Sequence, residues 1–188
     1  MIEYVQGFWL AVLQGFTEFL PISSSGHLVL VPRIFDWQDQ GLAFDVAVHV
    51  GTLLAVLVYF RKDIGCILID WLKSLVGGPV TPYSRLAWSI ACATLMVGIA
   101  GVLMENIING WLRAPLPIAI ATIFFGLLLW WADYSGAKSR EIENICWLDV
   151  LAIGAAQVLA LIPGTSRSGV TISMGLAMGL TRHAAARF

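Results

Sequence analysis

Charge is what this sequence has least of: 12% of its 188 residues are Asp, Glu, Lys or Arg, whereas 59% are hydrophobic. Soluble domains carry about a quarter charged residues, so a chain this poor in charge cannot present a water-compatible surface, and lipid is its expected solvent. Neither sign dominates, with eleven Lys and Arg against twelve Asp and Glu. No basic patch argues for nucleic acid as a partner. Cysteine is scarce as well: Cys66, Cys92 and Cys146 are isolated, without a C-x-x-C pair, and read as small apolar residues rather than zinc or redox groups. A P-loop, a dinucleotide fingerprint and a zinc signature are all missing. The start, Met1-Ile2-Glu3, lacks a basic region, and the run after it carries Gln6, Gln14 and Glu18. It reads as part of the mature fold, not as a cleaved leader.

What is abundant is apolar sequence in long runs. Crossing a bilayer takes about 20 helical residues, and Gly41 to Phe60, Arg85 to Met104 and Pro115 to Ala132 qualify as spans. Two further apolar regions are interrupted near their middles: Tyr4 to Phe35 at Pro21-Ile-Ser-Ser-Ser-Gly26, and Cys146 to Thr181 at Pro163-Gly-Thr-Ser-Arg-Ser-Gly169. Each predicts a helix, a non-helical turn and a second helix. Irregular backbone at membrane depth is tolerated only where protein or a wet cavity covers it, so the breaks mark sites. Gln14 lies twelve residues before Gly26 and Gln157 twelve before Gly169, with Ser-Ser-Ser-Gly in register with Ser-Arg-Ser-Gly. The expectation is an all-α polytopic membrane protein, a single integral domain over residues 1–188 built as an inverted-topology repeat with two re-entrant helical hairpins. Its first repeat covers about 1–114 and its second starts at about 115.

With three spans between the hairpins, Arg61, Lys62, Lys73, Arg85, Lys138, Arg140, Arg182 and Arg187 fall on one side, and only Arg33 and Arg113 on the other. The positive-inside rule makes the first side cytoplasmic, with the Ser24 hairpin opening outward. Ile64 to Val76 is too short and polar to span and is expected to lie flat on the cytoplasmic surface.

Gln14 and Glu18 share a helix face with Gly7 and Ala11. A carboxylate at such depth is costly and points to function, although capping near an interface is its plain alternative. Ser23, Ser24, Ser25, Gly26 and His27 follow Pro21 at the first break, and alone they could simply cap a helix. Together with Glu18 they put a nucleophile, a proton carrier and a carboxylate in one turn-flanked pocket. At the second break Arg167 sits between Ser166 and Ser168 where a helix would start, an arrangement suited to phosphate: free N–H groups, the positive helix end and a bidentate guanidinium. Asp45 and His49 share a face of the first span and read as supporting groups. Thr171, Gly175 and Gly179 read as a packing face. A divalent metal ion could sit between Glu18 and phosphate oxygens. These residues alone imply a membrane phosphate-ester site or an anion transporter.

The strings Gln14-Gly-Phe-Thr-Glu-Phe-Leu-Pro-Ile-Ser-Ser-Ser-Gly-His-Leu28 and Pro163-Gly-Thr-Ser-Arg-Ser-Gly-Val-Thr-Ile-Ser173 closely resemble the two signature motifs of the BacA/UppP undecaprenyl-diphosphate phosphatase family, and Phe44-Asp-Val-Ala-Val-His-Val-Gly-Thr52 resembles the stretch after the first. The resemblance implies hydrolysis of undecaprenyl pyrophosphate to the monophosphate at the bacterial plasma membrane, recycling the lipid carrier of cell-wall precursors and conferring bacitracin resistance. It also implies dependence on a divalent metal, Mg or Ca. Glu18 and Gln14 would serve metal or proton chemistry, Ser24 and His27 the attack, and Arg167 the pyrophosphate; which of Ser24 and His27 is the nucleophile stays open. Ser23, Ser25, Gly26, Ser166 and Ser168 would line the substrate. The expected partners are the polyprenyl pyrophosphate lipid and the bilayer, and a homo-oligomer is compatible with such a chain. Family members continue past the equivalent of Ala184-Ala-Ala-Arg-Phe188, so the second repeat is expected to be truncated. A transporter or flippase of a lipid phosphate is the alternative, because inverted repeats with broken helices also build transporters.

Overall fold

The computed structural model describes residues 2–109 and 114–188. Arg113, used in the charge argument, lies outside the described residues. The described chain is helical, without a strand, and runs α1 (Ile2–Phe19), α2 (Ser24–Ile34), α3 (Gly41–Tyr59), α4 (Arg61–Leu75), α5 (Pro82–Asn109), α6 (Pro115–Ser135), α7 (Trp147–Val158), α8 (Arg167–Ala177) and α9 (Arg182–Arg187).

Over Pro82–Met104 and Pro115–Ser135, α5 and α6 are each long and apolar enough to cross a bilayer. The third expected span coincides with α3, Gly41–Tyr59, which passes the same measure as a pair with Arg61–Leu75, the two helices meeting at an 81° bend. The bend gives α4 the orientation a helix lying along an interface needs if α3 crosses. Large apolar side chains are widely exposed, among them Phe8, Trp9, Phe16, Leu53, Ile99, Phe124, Trp130 and Trp131. That inversion of the soluble pattern belongs to a membrane-embedded protein, where lipid covers the outer faces.

Both interrupted regions fold as expected from their breakers. Proline has no N–H to continue a ladder, so α1 stops before Pro21, and α2 restarts once the Ser23 hydroxyl accepts from the Gly26 N–H at 3.2 Å. In the second region α7 tightens into a 3-10 turn at Leu159–Leu161, passes Pro163 and Gly164, and restarts as α8 when the Ser166 hydroxyl accepts from the Gly169 N–H at 3.2 Å. Within each region the two helices pack on each other, and α6 lies against both α2 and α8.

Gly164 fixes the second tip. Its φ of +92° is a left-handed value that glycine tolerates, and a Cβ there would collide with the Ile118 backbone of α6. Thr122, one turn along α6, donates its hydroxyl to the Gly164 carbonyl at 2.9 Å.

The loop before α7 is held by Arg140 and the fully buried Asp149. The guanidinium makes two hydrogen bonds to the carboxylate, 2.8 and 2.6 Å, and the Cys146 N–H adds a third at 2.8 Å. A buried carboxylate is tolerable when saturated in this way. The same fork raises the Arg140 pKa above its ordinary value. Arg140 also donates to the Met178 carbonyl, so it ties this loop to the end of α8.

One packing expectation needs correction. Gly175 does sit at a close approach, where a Cβ would be 3.0 Å from that of Ala185. Gly179, however, lies beyond the end of α8 with φ +86°. The Gly179 N–H bonds the Leu176 carbonyl and the Leu180 N–H bonds that of Gly175, both at 2.9 Å, which is the Schellman cap of a helix and not a packing face.

Candidate active site

The two broken-helix tips meet. The Ser168 hydroxyl donates to the Leu20 carbonyl at 3.2 Å, and a Cβ on Gly169 would lie 3.4 Å from the Pro21 carbonyl oxygen. The hydrogen bonding of the tips repeats as well: Ser23 and Ser25 hydroxyls lie 3.2 Å apart, and Ser166 and Ser168 hydroxyls 3.1 Å apart. Ser24 and Arg167 thus occupy equivalent places as the first residue of α2 and of α8. Between the tips is a polar cavity of about 180 Å³ whose walls include Glu18, Ser24, Ser25, His49, Thr165, Ser166, Arg167 and Ser168.

Glu18 is its hub. One carboxylate oxygen, Oε2, accepts from the Ser24 hydroxyl at 2.6 Å and from the Gln14 amide at 3.2 Å, and lies 3.3 Å from His49 Nε2. Gln14 is buried one turn before Glu18 and its amide also reaches the Thr52 hydroxyl at 3.3 Å. His49 Nδ1 is 2.6 Å from the Asp45 carbonyl oxygen. That oxygen can only accept, so Nδ1 carries hydrogen.

His27 is placed differently from the sequence expectation. Its Nδ1 turns back to the Ser23 carbonyl at 2.6 Å, and it is not among the residues lining the polar cavity. The histidine beside the carboxylate is His49, read from sequence as a supporting group; the i, i+4 pair with Asp45 was the signal for it. Gly26 is buried and its N–H already serves the Ser23 cap, so that donor is unavailable to a ligand. Thr52 and Thr165 are polar neighbours that the sequence reading did not select.

Arg167 is exposed at the cavity wall. Its guanidinium has no hydrogen bond or ion pair among the described residues, which leaves its fork open to an anion. Two grooves lead away from Glu18 and Arg167. One, of about 650 Å³, runs along α3 past Val46, Val50, Leu53 and Val56, with Asp45 and His49 at its polar end. The other, of about 300 Å³, passes Ile90, Ala93, Ile153, Gln157 and Thr171. A polar pocket continuing into apolar grooves suits an amphiphile with an anionic head.

Among the described residues no group of three His, Cys, Asp or Glu forms a metal cage. Glu18 Oε1 takes part in none of the contacts above. A single carboxylate oxygen fits an ion such as Mg²⁺ that is held largely by substrate phosphates, and does not fit a metal bound by protein ligands alone.

The sequence model of the bacitracin resistance protein BacA family matches residues 7–188. The chain is 56% identical to the undecaprenyl-diphosphatase of Chromohalobacter salexigens, over 95% of this chain and 68% of the relative. It is 54% identical to that of Thioalkalivibrio sulfidiphilus, over 100% of this chain and 70% of the relative. With that of Nitrosococcus oceani it shares 53%, over 100% of this chain and 71% of the relative. With its signature strings meeting at one cavity and the match running from Gly7 to Phe188, the chain belongs to the BacA family.

Proposed function

We propose that this chain is an undecaprenyl-diphosphate phosphatase, which hydrolyses the membrane diphosphate to undecaprenyl phosphate and inorganic phosphate. The names of its relatives support this. The observation that carries it is the Ser24 hydroxyl 2.6 Å from Glu18 Oε2, in a cavity that Arg167 also lines. A nucleophile, a proton acceptor and a group orienting that acceptor are the parts of an activated-serine site. Here the third part is His49.

In this reading Ser24 Oγ attacks the terminal phosphorus while its proton passes to Glu18. The Oγ–P bond forms, the bond from phosphorus to the bridging oxygen breaks, and undecaprenyl phosphate leaves. Water then hydrolyses the phosphoserine and releases phosphate. Arg167 holds oxygens of the diphosphate, and the tail lies in an apolar groove. Glu18 would be the protein ligand of a divalent ion, with Mg or Ca the expected species; such an ion neutralises phosphate charge. Purified protein in detergent should release inorganic phosphate from undecaprenyl diphosphate. A transporter would need two compartments and would release none.

Arg167→Lys is expected to lose most of this activity, about tenfold or more, while the protein still inserts and folds. Lysine keeps the charge but loses the planar fork that matches two phosphate oxygens. Turnover near that of the parent would show that a point charge is enough.

We infer that the site opens to the outer face of the plasma membrane. Arg85 and Arg187 line one cavity with Glu143, and Arg182 and Lys138 both reach Asp133. These cations therefore gather at one end of the bundle, which the positive-inside rule makes cytoplasmic. Single cysteines at Lys73 and Lys138, in a background free of Cys66, Cys92 and Cys146, should resist an impermeant thiol reagent in intact cells. Efficient labelling at both would reverse the orientation.

A further inference from the structure

The hydroxyl groups around the polar cavity differ in what their hydrogens already do. Thr17 donates to the Leu13 carbonyl at 2.8 Å and Ser24 donates to Glu18. Ser168 donates to the Leu20 carbonyl, so in the 3.1 Å contact between Ser166 and Ser168 the hydrogen comes from Ser166. The Ser23 and Ser25 hydroxyls bond each other at 3.2 Å, one donating and the other accepting. Thr165 stands apart: the residue is 5% exposed, lines the cavity, and its buried hydroxyl oxygen has no hydrogen-bond partner among the described residues.

The turn does not need that hydroxyl. The Thr165 N–H closes the turn by itself, donating to the Ile162 carbonyl at 3.0 Å. In the register shared by the two tips, the place of Thr165 is taken by Ile22, so an equivalent tip forms with an aliphatic side chain. Buried polar groups are retained where they find a partner, and none is present for the Thr165 hydroxyl among the described residues. The same cavity is lined by Arg167, whose guanidinium has no partner among the described residues.

We propose that Thr165 is a substrate-binding residue whose hydroxyl donates to a diphosphate oxygen held by Arg167. The proposal rests on the phosphatase reading for the identity of the anion. It makes the two tips chemically unequal: the first carries the nucleophile, and the second holds the anion through a hydroxyl and a guanidinium two residues apart.

The test is binding of inorganic pyrophosphate to full-length protein in detergent with Mg²⁺ present, followed by calorimetry, alongside the melting temperature without ligand. Thr165→Val keeps the branched shape and removes the donor. A hydrogen bond to a charged oxygen is worth more than a neutral one, so Thr165→Val should weaken pyrophosphate binding about tenfold or more. Thr165→Ser should stay within about threefold of the parent, because the hydroxyl is retained. The unliganded melting temperature of Thr165→Val should be unchanged or higher, since a buried group without a partner has been removed; a purely structural hydroxyl would lower it and leave affinity intact. Equal affinity of the parent and Thr165→Val, or no pyrophosphate binding by the parent, overturns the proposal. Pyrophosphate binding that depends on Thr165 in a protein that releases no phosphate from undecaprenyl diphosphate would leave the anion site standing and remove the phosphatase reading instead.

Discussion

Ser24→Ala is expected to lower phosphate release from undecaprenyl diphosphate by about two orders of magnitude or more, the range for losing a group that transfers protons or attacks in the transition state. The hydroxyl it removes is the one 2.6 Å from Glu18 Oε2. Glu18→Gln should give a loss of the same order for a different reason, because the amide keeps the shape but cannot take the Ser24 proton. His27→Ala should cost less than either, since its ring is engaged with the Ser23 carbonyl and acts by holding the turn that presents Ser24. Radiolabelled substrate should trap an acid-stable phosphoserine on the parent enzyme. If Ser24→Ala keeps more than a small fraction of turnover, attack belongs to His27 or to water, and an acid-labile adduct would name His27.

Gly164→Ala is expected to destabilise the protein more than a change of this kind elsewhere. Left-handed backbone strain on a residue with a Cβ costs about 1–3 kcal/mol, and overpacking adds a term of similar size because the atom in the way is backbone of α6, which cannot rotate aside. Gly41 provides the control. Its φ is +81°, yet a Cβ there would meet open space, so Gly41→Ala carries only the strain. Melting in detergent should show a much larger drop for Gly164→Ala than for Gly41→Ala. Similar drops would mean that the second tip is not seated on α6. Activity should fall with stability, since Arg167 follows Gly164 by three residues.

Much of the site was legible because the chemistry that breaks a helix in lipid is local. Pro21 and Pro163 with Gly164 announce the two interruptions, Ser23 and Ser166 cap the helices that follow, and a single carboxylate in an apolar run is costly enough to draw notice. The matching Ser-x-Ser-Gly strings foretold equivalent tips.

The sequence by itself determined the helical class, the apolar spans of α5 and α6, and the positions of both breaks, since these follow from hydropathy, proline and capping within a few residues of each other. It could not determine which side chains share a cavity, because Glu18 and Arg167 are brought together by packing between segments far apart in the chain. That packing turns His49 onto Glu18, folds His27 back on Ser23, and leaves the Thr165 hydroxyl buried at the cavity wall without a partner among the described residues. It also converts Gly179 from an apparent packing residue into a helix cap and bends the chain by 81° after α3. Spacing along one helix fixes only which residues share its face; the direction that face takes is set by the helices packed against it, and only the tertiary structure supplies those.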